Sequence, residues 1–204
     1  MRVLLVSDVE SKYIWDYFDH QRFADIDLVI SCGDLKSEYL SFLATMIKAP
    51  VFYIHGNHDA QYEIKPPEGC DSIEDKLIIY KGLRIIGLGG SMLYSNNCNS
   101  RPPYQYTERQ MEKRILRLIP KILINKGFDI LVTHAPAFSL RDGKDLCHTG
   151  FKAFLNLIEK YKPKYMFHGH MHMNFRQTDR VMVYKNTTIV DAYNYHILDI
   201  PDKI

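Results

Sequence analysis

The sequence predicts an α/β fold in which two packed mixed β-sheets are flanked by helices, a four-layer αββα sandwich. Three observations predict it. Short, nearly continuous apolar runs recur at 2–7, 27–32, 50–55, 128–133 and 164–168, and such runs suit strands covered on both faces. Helical patterns lie between them. After Met173 only strand-like pieces remain, and these are expected to form a second, largely antiparallel sheet.

Taken in order, the run RVLLVS ends at Asp8, and Glu10 follows after one residue. Locally, Ser7 or Asp8 can N-cap a helix starting near Ser11, with Glu10 in its first turn. The same two carboxylates can instead hold a ligand. Tyr39, Leu40, Leu43, Met46 and Ile47 recur at helical spacing before Pro50. In LIIYKGLRIIGL (77–88), Lys81-Gly82 between two β-rich runs predicts a hairpin. Residues 89–106, rich in Asn, Ser, Tyr and Pro, read as a functional loop. Thr107 then N-caps a helix with Met111, Ile115, Leu118, Ile119 and Ile122 as its apolar stripe, ending at Gly127. A further helix is expected from Gly150 to about Tyr161, and strands at 181–184, 187–190 and 195–200.

The 204 residues suit a single domain spanning 1–204. Apolar residues make up 46% and charged residues 25%, ordinary usage for a globular protein. A net charge of +2 argues against a nucleic-acid or membrane surface. No window offers the roughly 20 apolar residues of a membrane span. The start reaches Asp8 too soon for a secretory signal. Four scattered cysteines, without a CxxC pair, read as reduced thiols of a cytoplasmic protein.

Each covered strand is followed by polar residues: Asp8 and Glu10, then Gly33-Asp34, then GNHD (56–59), then His134, then GHMH (169–172). The carboxyl ends of strands in open α/β sheets form the ligand crevice, so these side chains are expected to converge. Singly, each has an ordinary explanation as a turn, a cap or a hydrogen-bonded histidine. Together, imidazoles, carboxylates and an amide oxygen make a donor set suited to Mn, Fe or Zn.

The ordered set Asp8…Gly33-Asp34…Gly56-Asn57-His58-Asp59…His134…Gly169-His170-x-His172 resembles the calcineurin-like metallophosphoesterase family in a minimal, uncapped form. The resemblance implies two sheets sandwiched between helices and two divalent metal ions. One ion would take Asp8, the residue at position 10, Asp34 and His172; the other would take Asp34, Asn57, His134 and His170. Asp34 would bridge them, and His58 would face the scissile phosphate as the catalytic side chain. Two such ions about 3.5 to 4 Å apart clamp a phosphoryl group and acidify a bridging water, whose hydroxide attacks phosphorus. The implied activity is hydrolysis of a small phosphate monoester or diester. Asp59, His55 and His168 are candidates to hold the second ring nitrogens of the liganding histidines.

Position 10 departs from the pattern, since the family has Asp-x-His and this chain has Asp8-Val9-Glu10. A third carboxylate lowers the net site charge and shifts preference toward Mn²⁺, with Fe, Zn or Ni as other occupants. Two irregular segments are candidates for substrate choice: 93–106, with Arg101 and Tyr104, and 141–151, where His148 precedes a helix N-terminus able to receive an anion. The alternative functions are a non-catalytic scaffold of this fold, as in the retromer subunit, and a nuclease of the same superfamily. Intact GNHD and GHMH argue against the first; the balanced charge and lack of a visible cap argue against the second.

Overall fold

A computed structural model describes residues 1–94, 103–172 and 179–201. Strands β1 (Arg2–Ser7), β2 (Leu28–Ser31), β3 (Val51–Tyr53) and β4 (Cys70–Ser72) run parallel in one sheet. The second contains the hairpin β5 (Lys76–Tyr80) and β6 (Leu83–Leu88), then β9 (Ile130–Thr133), β10 (Tyr165–His168), β11 (Val181–Tyr184) and β12 (Thr187–Asp191). A short parallel ladder joins β7 (Ser91–Met92) to β8 (Gln105–Tyr106). The last strand, β13 (Asn194–Asp199), lies antiparallel to β1, from Arg2↔Asp199 to Ser7↔Asn194.

The expectation of a separate antiparallel C-terminal sheet is therefore corrected. The strand orders are β13-β1-β2-β3-β4 and β11-β12-β10-β9-β6-β5. β11 and β12 extend the second sheet while β13 crosses to the first, and the interior of the second sheet (β12, β10, β9, β6) is parallel. The physical reason is that apolar alternation tells which face of a strand is buried, not which strand lies beside it.

Side-chain alternation builds the four layers. Val3 and Leu5 face the second sheet with Leu28, Ile30, Ile85, Ile130, Val132 and Phe167. Their neighbours Leu4 and Val6 face outward onto Tyr39, Leu40 and Leu43 of helix α2 (Ser37–Met46). In the second sheet, Ile86, Leu131, Met166 and Ile189 face outward onto helices α3 (Glu108–Ile124) and α4 (Lys152–Tyr161). Helix α3 opens as the sequence indicates: the Gln110 Oε1 accepts the Thr107 backbone N–H at 2.9 Å, the return half of a capping box. It closes at Gly127, whose N–H bonds Ile122 O at 2.8 Å with φ +108°.

The predicted helix near Ser11 is one turn only, α1 (Lys12–Trp15), with Ser11 at its N-cap and no side-chain cap. Asp8 does not cap it.

Candidate metal centre

The polar ends of β1, β2 and β3 in one sheet and of β9 and β10 in the other meet at one edge of the sandwich. Three of the predicted residues leave their strands in the left-handed region, Asp8 at φ 66°, Asp34 at 57° and His170 at 66°. Non-glycine residues hold this conformation at a cost of order 1 kcal/mol or more, and such strain concentrates at functional sites. The glycines beside these residues allow the loops to touch. A Cβ on Gly33 would lie 2.3 Å from Gly56 N, and one on Gly169 would lie 1.9 Å from Ser7 Oγ.

Three ligating atoms surround His134 Nε2: Asn57 Oδ1 lies at 3.0 Å, His170 Nδ1 at 3.1 Å and Asp34 Oδ2 at 3.3 Å. The ring orientations are fixed from behind. His134 Nδ1 meets Cys32 O at 2.7 Å, and His170 Nε2 meets Cys147 O at 2.8 Å. A carbonyl can only accept, so those nitrogens carry the hydrogens. In the neutral rings, the lone pairs of His134 Nε2 and His170 Nδ1 therefore face each other and the oxygens of Asn57 and Asp34. Such a knot of acceptors repels itself unless a cation lies within it. The donor set therefore suits a metal ion.

The titration behaviour of the metal-free site says the same. Burial alone would push His134 down, but the Asp34 charge and hydrogen bond outweigh it and raise His134 to about 9. Asp34, although burial pushes it up, is held at about 2 by His134 and by the His58 backbone N–H. Burial and the neighbouring His134 charge lower His170 to about 3. One proton on His134 thus takes the place a cation would fill.

The Asp8 side is looser. The Asp8 carboxylate accepts the His170 backbone N–H at 2.9 Å, and its side chain is buried, which raises its pKa. His172 Nε2 is 3.9 Å from Asp8 Oδ1 on a side chain 68% exposed. Glu10 Oε1 accepts the Lys36 backbone N–H at 3.1 Å, at the N-terminus of α2. Both local readings of SDVE miss this: Glu10 caps a helix, but not the one that follows it.

His58 is exposed, with Nε2 at 4.0 Å from Asp34 Oδ2, while its backbone N–H donates to Asp34 Oδ1 at 2.8 Å. Asp59 is buried and raised to about 6, by burial first and then by Asp34. Its Oδ2 accepts the N–H groups of Gly56 at 2.7 Å and Asp34 at 2.8 Å. The expectation that Asp59, His55 or His168 would hold the second ring nitrogens is corrected, since the carbonyls of Cys32 and Cys147 do so. His55 pairs with Glu74 at 3.2 Å, and His168 Nδ1 meets Gly169 O at 3.1 Å.

Of the candidate substrate contacts, Arg101 lies outside the described residues. Tyr104 stacks on His55, ring centroids 4.3 Å apart, and its hydroxyl meets Glu63. His148 sits over the site, its ring centroid 5.2 Å from that of His170 and 6.4 Å from that of His172. The helix N-terminus after it does not await an anion: Glu108 already accepts the Lys152 and Ala153 N–H groups at 3.2 and 2.6 Å.

Sequence reasoning missed two supports. Glu74, largely buried, accepts the N–H groups of His55 and Gly89 at 2.9 and 2.8 Å and pairs with Arg114, which also bonds Asp75 and Gly89 O. The available signal was an arginine at 114, within the apolar stripe of Met111, Ile115 and Leu118. Tyr94 OH accepts the Asn57 Nδ2–H at 3.3 Å, which keeps the amide oxygen turned toward His134. A tyrosine in an irregular loop carries no comparable signal.

The family model for calcineurin-like phosphoesterases matches residues 1–174, all five strand-end motifs included. The chain belongs to the calcineurin-like phosphoesterase family. An uncharacterized protein of Haemophilus influenzae is 26% identical over 204 residues, covering 85% of this chain and 84% of that protein. Among solved structures, TT1561 of Thermus thermophilus superposes with a TM-score of 0.63 at 16% identity, over 95% of this chain and 89% of that one. A dimetal phosphatase from Danio rerio gives 0.61 at 11% identity, over 97% and 91%. These two likenesses establish the fold. Among the described residues no helix is long and apolar enough to cross a membrane.

Proposed function

We infer that the chain, acting as one unit, is a dinuclear metal-dependent hydrolase of a small phosphate monoester or diester. The observation that supports it most is the cluster of opposed lone pairs around His134 Nε2, built from both sheets. Asn57, His134, His170 and Asp34 would hold one ion; Asp8, Glu10, Asp34 and His172 would hold the other. Asp34 has two carboxylate oxygens to share between them. Mn²⁺ is the preferred occupant, because the set is rich in oxygen and imidazole and gains a third carboxylate from Glu10. When bound, such ions supply Lewis acidity toward phosphoryl oxygens and water.

The chain's own groups do the rest. His58, exposed beside Asp34 and tied to it through its backbone, can reach outward to donate to a phosphoryl or leaving-group oxygen. Asp59 holds the Gly56 and Asp34 backbones so that the GNHD loop keeps its register on β2. The decisive experiment is Asp34→Asn, assayed with p-nitrophenyl phosphate and bis-p-nitrophenyl phosphate alongside elemental analysis. Loss of at least one ion together with nearly all turnover is expected; both ions retained at full activity would remove the bridging role.

A further inference from the structure

His170 belongs to two groups of potential ligands. Its ring nitrogen lies within 4.8 Å of ligating atoms of Asp34 and His134, and also within 4.8 Å of the Cys147 sulfur and a His148 nitrogen. The second group stands on its own chemistry. His148 Nδ1 meets Asp145 Oδ2 at 2.7 Å, which places the lone pair on Nε2. That is the carboxylate–histidine arrangement that usually backs a metal-binding imidazole. A thiol and two imidazoles form a soft donor set, unlike the oxygen-rich set around Asp34.

We propose that Cys147, His148 and His170 form a separate site for a thiophilic divalent ion such as Zn²⁺, and that this site competes with the phosphoesterase centre for His170. A tetrahedral zinc with ordinary bond lengths sets neighbouring sulfur and nitrogen donors about 3.5 Å apart. The three groups, already within 4.8 Å of one another, need only a small side-chain adjustment to reach that spacing, and water completes the shell. Binding releases the thiol proton. A neutral imidazole has one lone pair, so His170 serves one ion at a time. On the Asp34 side it presents Nδ1; at the Cys147 side its Nε2 exchanges the Cys147 carbonyl for the ion, and Nδ1 takes the proton. Zn²⁺ in the soft site therefore withdraws a ligand from the ion held by Asn57 and His134. The existence of the soft site is independent of the dinuclear reading; only the competition rests on it.

The test uses the full chain stripped of metal and titrated with Co²⁺, whose thiolate bond gives a near-ultraviolet charge-transfer band. The band is expected in wild type and in Asp34→Asn, and absent in Cys147→Ser, with Asp145→Asn weakening the ion by about 10-fold or more. A wild type without the band, or a band that survives Cys147→Ser, overturns the soft site whatever the enzyme's activity. The competition is read by manganese paramagnetic resonance. Zn²⁺ should release Mn²⁺ from wild type at concentrations at least about 10-fold lower than from Cys147→Ser; equal release in both overturns the competition. If wild type takes up no Mn²⁺ at all, the dinuclear reading and the competition fall together, and the cobalt band still decides the soft site.

Discussion

On one side of Asp34, His134 and His170 are buried, and each has its far ring nitrogen on a main-chain carbonyl, that of Cys32 or Cys147. On the other side, His172 is 68% exposed and Glu10 reaches away to the N–H of Lys36, the residue that precedes α2. The first half is held by main-chain partners behind both rings, and its converging acceptors call for a positive charge between them, a metal ion or the proton that raises His134. The second half has only Asp8 fixed in place, by the His170 backbone N–H. The difference teaches where the sandwich spends its rigidity. Distance from the strand does not separate the halves, since Asn57 follows β3 by as many residues as His172 follows β10; what separates them is burial and the partners behind each side chain.

If that contrast is sound, damage to the buried half should be the more severe. His134→Ala should abolish binding of one ion and essentially all hydrolysis, whereas His172→Ala should weaken one ion and leave measurable turnover. Equal losses by calorimetric Mn²⁺ titration and by rate would erase the distinction. Next in size is His58→Ala, which should keep both ions and lose about 10²-fold in turnover. Metal lost in step with activity would make His58 a ligand.

The Glu74–Arg114 pair supports the buried half at a distance, since Glu74 holds the backbones of His55 and Gly89 beside GNHD. Arg114→Met would leave the largely buried Glu74 carboxylate without its arginine, and about 3 kcal/mol of unfolding free energy should be lost. Urea denaturation measures it. A loss under about 1 kcal/mol would show that His55 and the backbone donors suffice for Glu74.

The metal-free protein also offers a pH test. His134 is raised in the folded state to about 9 from an ordinary 6.5. Its contribution is complete below pH 6.5 and is lost as pH rises through 9, a change of roughly 1–3 kcal/mol. The midpoint in urea should therefore fall between pH 6.5 and 9, and the fall should be absent in His134→Gln. Mn²⁺ binding needs the same nitrogen unprotonated, so its affinity should rise over the same interval. A flat wild-type profile would remove the proton from the place assigned to it.

Much of this architecture was legible in the chain. VMVY at 181–184 is a strand with those bounds, and Thr107 is the N-cap of α3 as expected. The strand-end motifs located the site because a strand terminus is a local event with a local signature. What remained hidden depends on partners far apart in sequence. β13 pairs with β1 across nearly the whole chain, and nothing in YHILDI distinguishes that edge from any other. Glu74 and Arg114 are 40 residues apart. Cys147 and Asp145 read as loop polarity until the fold sets them against His170.

The smallest effect concerns Glu10. Its Oε1 accepts the Lys36 N–H ahead of α2, and a carboxylate has a second oxygen to offer an ion, so one side chain can do both jobs. Glu10→Ala removes both and should cost about 1 kcal/mol or less in stability. Glu10→Gln separates them, because an amide oxygen still accepts the Lys36 N–H but brings no charge to the site. We therefore expect the Gln variant to keep wild-type stability and to bind the Asp8-side ion about 10-fold more weakly, with the other ion unchanged. Glu10→His, which restores the family motif, should return that affinity while losing the contact to α2. A two-site Mn²⁺ titration identical in wild type, Gln and His variants would leave Glu10 as a helix cap alone, and the open half would then rest on Asp8, Asp34 and His172.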